Sequence, residues 1–209
     1  SFTVDDSTIS GPDSASAGWI RIFISNKGQS DNNLALVQLS DGKTATDLAT
    51  HLQQQPTWPL PSWATPAGGV ANVGPGVSGN VMMDLEPGNY GIVHFVSDAA
   101  GASRPATSPV LPFTALPIKS AGVEPVPDAV IRITDIKYNV NPIRQAVNIG
   151  GLAIPLKLGP HIIKVENQTA IPQEVQMIDI AGLKAPWDLE GWFKGRSHSG
   201  AAGTNEAGV

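Results

Sequence analysis

The sequence predicts an all-β fold with one short helix, arranged as one complete β-sandwich and a second, incomplete β-rich unit. Three observations support this. First, 22 glycines and 18 prolines among 209 residues divide the apolar segments into pieces suited to short strands joined by turns. Second, those pieces alternate with the period of a strand, as where Ile20, Ile22 and Ile24 interleave with Arg21 and Ser25. Third, the chain partly repeats itself. Gly18, Ile22, Asn26, Asp47 and Leu48 recur as Gly159, Ile163, Asn167, Asp188 and Leu189, always 141 residues on. Between these points Ile24 matches Val165, Val37 matches Ile178 and Leu39 matches Ile180. The second copy covers about half of the first, so the chain reads as one and a half domains.

Taken in order, Phe2 to Val4 and Gly18 to Asn26 are expected as strands, followed by Leu34 to Leu39 and a turn at Asp41-Gly42. Thr44 to Gln54 is the helix, with Thr44 and Asp47 spaced as an N-terminal cap and Pro56 ending the run. Residues 56–79 are rich in Pro, Gly and Ala and read as a long loop carrying Trp58 and Trp63, of the kind that serves as a binding surface or lid. Val81 to Leu85, the turn Glu86-Pro87-Gly88-Asn89, Tyr90 to Val96 and Val110 to Ala115 complete the first unit. The expected boundaries are a domain at 1–116, a Pro-rich linker at 117–128, a partial repeat at 129–194 and a Gly/Ala/Ser-rich tail at 195–209. Within the repeat, strands are expected at Val130 to Ile136, Leu152 to Lys157, His161 to Val165 and Glu174 to Ile180. Trp187 to Phe193 then forms a short helix or hydrophobic turn.

Composition excludes several classes of function. With 13 basic against 18 acidic residues and no basic cluster, nucleic acid is not an expected partner. Without cysteine there is no disulfide, no thiolate nucleophile and no sulfur-built zinc or iron site. No stretch approaches eighteen uninterrupted apolar residues, so no transmembrane segment is expected. The chain opens on Ser1 rather than Met, as expected after removal of an N-terminal secretory signal.

The order of Phe2-Thr3-Val4-Asp5-Asp6, Gly18 to Asn26, Leu39-Ser40-Asp41-Gly42 with Asp47-Leu48, Gly68-Gly69, Leu85-Glu86-Pro87-Gly88-Asn89-Tyr90 and Pro112-Phe113-Thr114 resembles the cupredoxin-like β-sandwich of secreted bacterial proteins. The resemblance covers residues 1–116 and extends over 130–193 for the N-terminal half of such a domain. It implies a Greek-key sandwich and an extracytoplasmic location, whether periplasmic, cell-surface or secreted. Copper-binding members use His, Cys, His and Met ligands. By the resemblance those positions fall near Asn32-Asn33, at His94, and near Arg104 and Pro109, which leaves one good ligand of four. A type 1 copper centre depends on a thiolate, so the resemblance implies the fold with the copper ligands lost.

His94 is the candidate metal or small-ligand residue, on a strand face with Tyr90, Ile92 and Val96. The simpler reading is a hydrogen-bonded histidine at the edge of a packed face, because a metal site needs convergent ligands. His51, His161 and His198 share no metal-like spacing, and solvated surface is expected for His51 and His161. Gly42-Lys43-Thr44 lacks the upstream glycine of a phosphate loop, and no Gly-x-Ser-x-Gly occurs. Asn167-Gln168-Thr169 matches a glycosylation sequon and reads here as a turn. The carboxylate pairs Asp5-Asp6, Asp84 with Glu86, and Asp188 with Glu190 sit in no calcium loop or acid/base arrangement.

These readings converge on a protein that is not an enzyme and needs no cofactor. It is expected to be a structural or protein-interaction subunit of an extracytoplasmic assembly. Its partners are expected to be other protein subunits, copies of itself or different chains, joined by strand addition and by a tail that buries too little to order itself. Trp58, Trp63, Trp187, Trp192 and Phe193 are the candidate interface anchors, with internal core as the other reading. The alternative function is a metal- or small-ligand-binding periplasmic module using His94 and the Trp58/Trp63 loop.

Overall fold

The computed structural model describes residues 1–55, 60–97, 103–105, 110–136, 146–151, 156–169, 173 and 175, without the side chains of 103, 104, 119, 135, 136 and 146–149. Contacts divide the chain at Gly122, and the two units are described separately.

The first unit is built around one strand that serves two layers. β1 (Phe2–Val4) and β2 (Ile9–Ser10) form a small hairpin, and the 13-residue β3 (Ser14–Asn26) follows. The first part of β3 pairs in parallel with β9 (Leu111–Lys119), from Ser14 opposite Thr114 to Ala17 opposite Lys119. Its second part pairs antiparallel with β6 (Ser78–Leu85), from Gly18 opposite Leu85 to Ser25 opposite Ser78, and its end runs parallel to β1. The change of partner falls at Gly18, whose φ of 95° belongs to the left-handed region open to glycine. One layer is therefore β2-β1-β3-β6. The other is β3-β9-β7-β4-β5, with β4 at Asn32–Leu39, β5 at Ala64–Val73, β7 at Gly88–Ser97 and β8 (Ser103–Pro105) paired onto β7. After β5 and β6 the chain returns to lay β7 beside β4, a Greek-key return. The all-β sandwich with one short helix is as the sequence predicts.

Alternation along these strands separates two apolar layers. Phe2, Val4, Ile22 and Ile24 meet Leu34, Leu36, Tyr90, Ile92 and Phe113 between the sheets. The Phe113 ring lies 6.4 Å from both Phe2 and Tyr90, and the Tyr90 hydroxyl donates to the Glu86 carbonyl at 2.7 Å to close the β6–β7 corner. On the outer face Val37, Leu39 and Val93 pack against Leu48 and Leu52 of α1 (Ala45–Gln54). That helix starts as predicted. The Thr44 hydroxyl accepts from the Asp47 amide at 3.2 Å and the Asp47 carboxylate accepts from the Thr44 amide at 2.8 Å, a reciprocal capping box.

Two expectations are corrected. The segment 56–79 is not one long loop, because β5 occupies Ala64–Val73 and β6 begins at Ser78. Pro66, Gly68 and Gly69 disguise β5, yet its place at the sheet edge tolerates proline and its pairing with β4 is bulged. Gly69 is required there, since a Cβ at that position would lie 1.9 Å from the Leu34 carbonyl oxygen. The first unit also runs past residue 116. β9 continues to Lys119, and Ser120 donates its amide to the Ala17 carbonyl at 2.6 Å and its hydroxyl to the Trp19 carbonyl at 3.0 Å. Finally, β11 (Ala146–Gly150) was not foreseen, and of the strand expected at Leu152 to Lys157, residues 152–155 lie outside the described residues.

In the second unit β11 pairs antiparallel with β10 (Ala129–Ile136), which pairs in parallel with β12 (Ile163–Asn167). Here the repeat becomes structural. Ile131 faces Val165 and Ile133 faces Asn167 as Phe2 faces Ile24 and Val4 faces Asn26. The Gln168 amide donates to the Ile133 carbonyl at 2.8 Å, and the Lys27 amide donates to the Val4 carbonyl at 2.7 Å. Asn167 Oδ1 accepts from the Thr169 amide at 3.0 Å as Asn26 Oδ1 accepts from the Gly28 amide at 2.8 Å. Gly159 has φ of 132°, matching the positive φ of Gly18. Phe2-Thr3-Val4 and Ile131-Arg132-Ile133 are thus equivalent, although they share no residue.

Replacing Gly69 with Ala forces backbone apart between the two β4–β5 bulges and is expected to cost about 1–3 kcal/mol. Thr44→Ala removes only a cap and is expected to cost about 1 kcal/mol. Urea unfolding midpoints of the two variants measure the difference.

Candidate functional site

Three buried polar side chains close one end of the sandwich: Asn26 and Asn32 at 0% exposure and His94 at 3%. They come from the end of β3, the start of β4 and the middle of β7. Asn26 Nδ2 donates to the Ser30 and Val73 carbonyls, each at 2.8 Å. Its Oδ1 accepts from the Gly28 amide at 2.8 Å and from Asn32 Nδ2 at 3.0 Å, so all four hydrogen-bonding positions of the amide are used. Asn32 Nδ2 also donates to the Ser30 carbonyl at 2.9 Å. With its nitrogen aimed at acceptors of Asn26, Ser30 and Asp6, Asn32 presents Oδ1 to His94 Nε2. That fixes the imidazole with its proton on Nε2, donating to Asn32.

Asp5 and Asp6 brace the same end. Asp5 accepts from the Ser7 and Thr8 amides at 2.8 and 2.7 Å and from both hydroxyls, and these bonds hold its carboxyl at about 2. For Asp6, burial pushes the pKa up, but the Gln29 and Ser30 amides at 2.9 and 3.0 Å and the Asn32 amide prevail and lower it. His94 is lowered from its ordinary 6.5, chiefly by burial and against the opposing pull of Asp5 and Asp6. The histidine is therefore neutral at neutral pH.

The positions that the resemblance assigns to the early His and the Cys ligand of a copper centre are thus brought together at Asn32 and His94. They do not fit a metal. Asn32 offers an amide already donating to Asn26, His94 uses Nε2 on Asn32, and no thiolate exists. Arg104 pairs through its backbone with Val96, and its side chain and Pro109 lie outside the described residues. Among the described residues no three His, Cys, Asp or Glu side chains gather as a metal group.

Trp63 immediately precedes β5 and packs, partly buried, on the helix side of the sandwich. Lys43 Nζ sits 5.1 Å over its ring and His51 meets it edge-on at 6.3 Å. His51 is not a solvated surface residue as expected, since its Nε2 is buried without a hydrogen-bond partner among the described residues. His161 is half-buried, with Nδ1 3.4 Å from Asp128. Trp58, Trp187, Trp192 and Phe193, like the tail at 195–209 and all but residue 175 of the strand expected at Glu174 to Ile180, lie outside the described residues. Sequence reasoning missed Asn26 and Asn32 as a buried pair. Its one signal was the recurrence of Asn26 as Asn167.

The chain matches no protein-family model and no curated protein sequence. Among solved structures it is similar to sodium-dithionite-reduced auracyanin from the photosynthetic bacterium Roseiflexus castenholzii, at 13% identity and a TM-score of 0.31, over 51% of this chain and 93% of that one. No helix among the described residues is long and apolar enough to cross a membrane.

His94→Ala leaves Asn32 Oδ1 buried without its donor and is expected to cost about 1–3 kcal/mol. Because the folded pKa lies below the unfolded value, His94 stability is complete above pH 6.5 and is lost as pH falls below it through the folded value. The Asp5 and Asp6 contributions are lost separately, below the ordinary carboxylate value of 3.8. In urea titrations at successive pH values, His94→Gln is expected to flatten the first window and leave the second.

Proposed function

We propose that this chain is a non-catalytic, cupredoxin-like structural or protein-interaction subunit of an extracytoplasmic assembly that holds no type 1 copper. One observation carries the reading. The end of the sandwich where the resemblance puts metal ligands is filled by a hydrogen-bonded network in which the Asn26 amide and His94 Nε2 are both engaged. A group held this way is suited to fixing strands rather than to exchanging ligands or protons. The extracytoplasmic location rests on the cupredoxin-like resemblance. The alternative, a ligand module built on His94 and the Trp58/Trp63 loop, is less well supported, because Trp63 is already engaged by Lys43 and His51 of its own chain.

Metal analysis after native purification and a copper(II) and zinc(II) challenge is expected to find substoichiometric metal, unchanged by His94→Ala. One equivalent of metal that disappears in His94→Ala overturns the reading in favour of the ligand module.

A further inference from the structure

In the first unit, β3 is paired on both sides, in parallel with β1 and antiparallel with β6. In the second unit β12 holds the place of β3 and β10 that of β1, while among the described residues no strand pairs with the other side of β12. Equivalent residues of the two strands also differ in burial. Ile24 is fully buried, whereas its counterpart Val165 is 46% exposed, and Ile162, just before the strand, is 41% exposed. The edge is also patterned, with Ile163 and Val165 on one face and Lys164 and Glu166 on the other.

We propose that this edge binds the same edge of a second copy of the chain, as an antiparallel β12–β12 pair with its two-fold axis at Val165. This rests on the subunit reading above and names its partner. The charges select the pairing. With the axis at Val165, Lys164 of each copy stands opposite Glu166 of the other, and the two Val165 side chains face each other on the apolar side. Centring the pair on Lys164 or Glu166 instead sets like charge against like, and so does an in-register parallel arrangement. Charges on an edge strand ordinarily discourage pairing, but the register centred on Val165 turns them into two cross-strand pairs of opposite sign. The pair also extends a charge row that is already formed. Arg132 Nε lies 2.9 Å from Glu166, and Lys164 Nζ lies 2.6 Å from Glu124 and 3.6 Å from Glu166. The antiparallel sense is that of β6 on β3, whose place the second copy takes.

Sedimentation equilibrium of the full chain is expected to give about twice the 21.8 kDa chain mass. Lys164→Glu and Glu166→Lys are each expected to weaken the dimer roughly tenfold by opposing like charges, and the double exchange to restore it. The chain has no cysteine, so Val165→Cys places a single thiol on the axis. It is expected to form a disulfide dimer under mild oxidation, while Lys157→Cys at the exposed turn does not. Circular dichroism establishes that each variant is folded. A monomeric wild type, a dimer indifferent to both single charge reversals, or equal cross-linking of the two thiols overturns the pairing. A metal-free monomer overturns the self-pairing alone and leaves the subunit reading standing, whereas stoichiometric metal overturns that reading itself.

Discussion

Asn26 is fully buried, and an amide in that position is tolerable only if every one of its donors and acceptors is met. Meeting them requires the Gly28 amide and the Ser30 carbonyl from the turn after β3, the Val73 carbonyl from the end of β5 and the Asn32 amide from the start of β4. Asn32 in turn faces His94 in β7, and Asp6 after β1 holds the turn amides of Gln29 and Ser30. Five strands are thereby tied to one side chain. A slip of register in any of them leaves a buried polar group unpaired, a penalty of the same order as the contribution of a large apolar side chain. Apolar burial drives the two sheets together. The asparagine restricts them to one alignment.

The same constraint explains why this end of the molecule is poorly suited to chemistry. Neutral His94 is held by burial and by its bond to Asn32, and the nearest carboxylates are occupied by backbone amides. Catalytic and metal-binding groups require an open coordination or proton position alongside their supporting bonds. In this network the supporting bonds account for the amide of Asn26 completely and for the proton-bearing nitrogen of His94.

What the sequence discloses depends on how local the responsible interaction is. The capping box of α1 joins residues three apart, so Thr44, Asp47 and the helix they start were legible. Strand alternation located β3, β4, β7 and β10 for the same reason. β5 was hidden because Pro66, Gly68 and Gly69 are loop residues by composition, and their place in a strand follows from the edge position and from the close approach of Leu34. The asparagine network was hidden more completely, since the bonds that tie its turn to β5 and β7 join residues 47 and 62 apart and no local pattern announces them. Trp63 and His51 follow the same rule, for neither composition nor spacing reveals an edge-on contact made by packing a helix on a sheet.

The repeat separates these two kinds of information within one chain. Asn26 and Asn167 both end a strand parallel to an upstream neighbour, and both accept from the amide two residues on. Asn26 is nevertheless fully buried and Asn167 is exposed, just as Ile24 is buried and Val165 is not. The identical residue and its turn therefore belong to the local unit of two parallel strands. Burial is conferred by what packs over that unit, which in the first copy is β4, β5, β6 and β7. An asparagine that is a structural keystone in one copy is an ordinary turn residue in the other until an equivalent cover is supplied. In the first copy β6 pairs with the flank of β3 away from β1 while its neighbours close over Ile24, and among the described residues no strand takes that place beside β12.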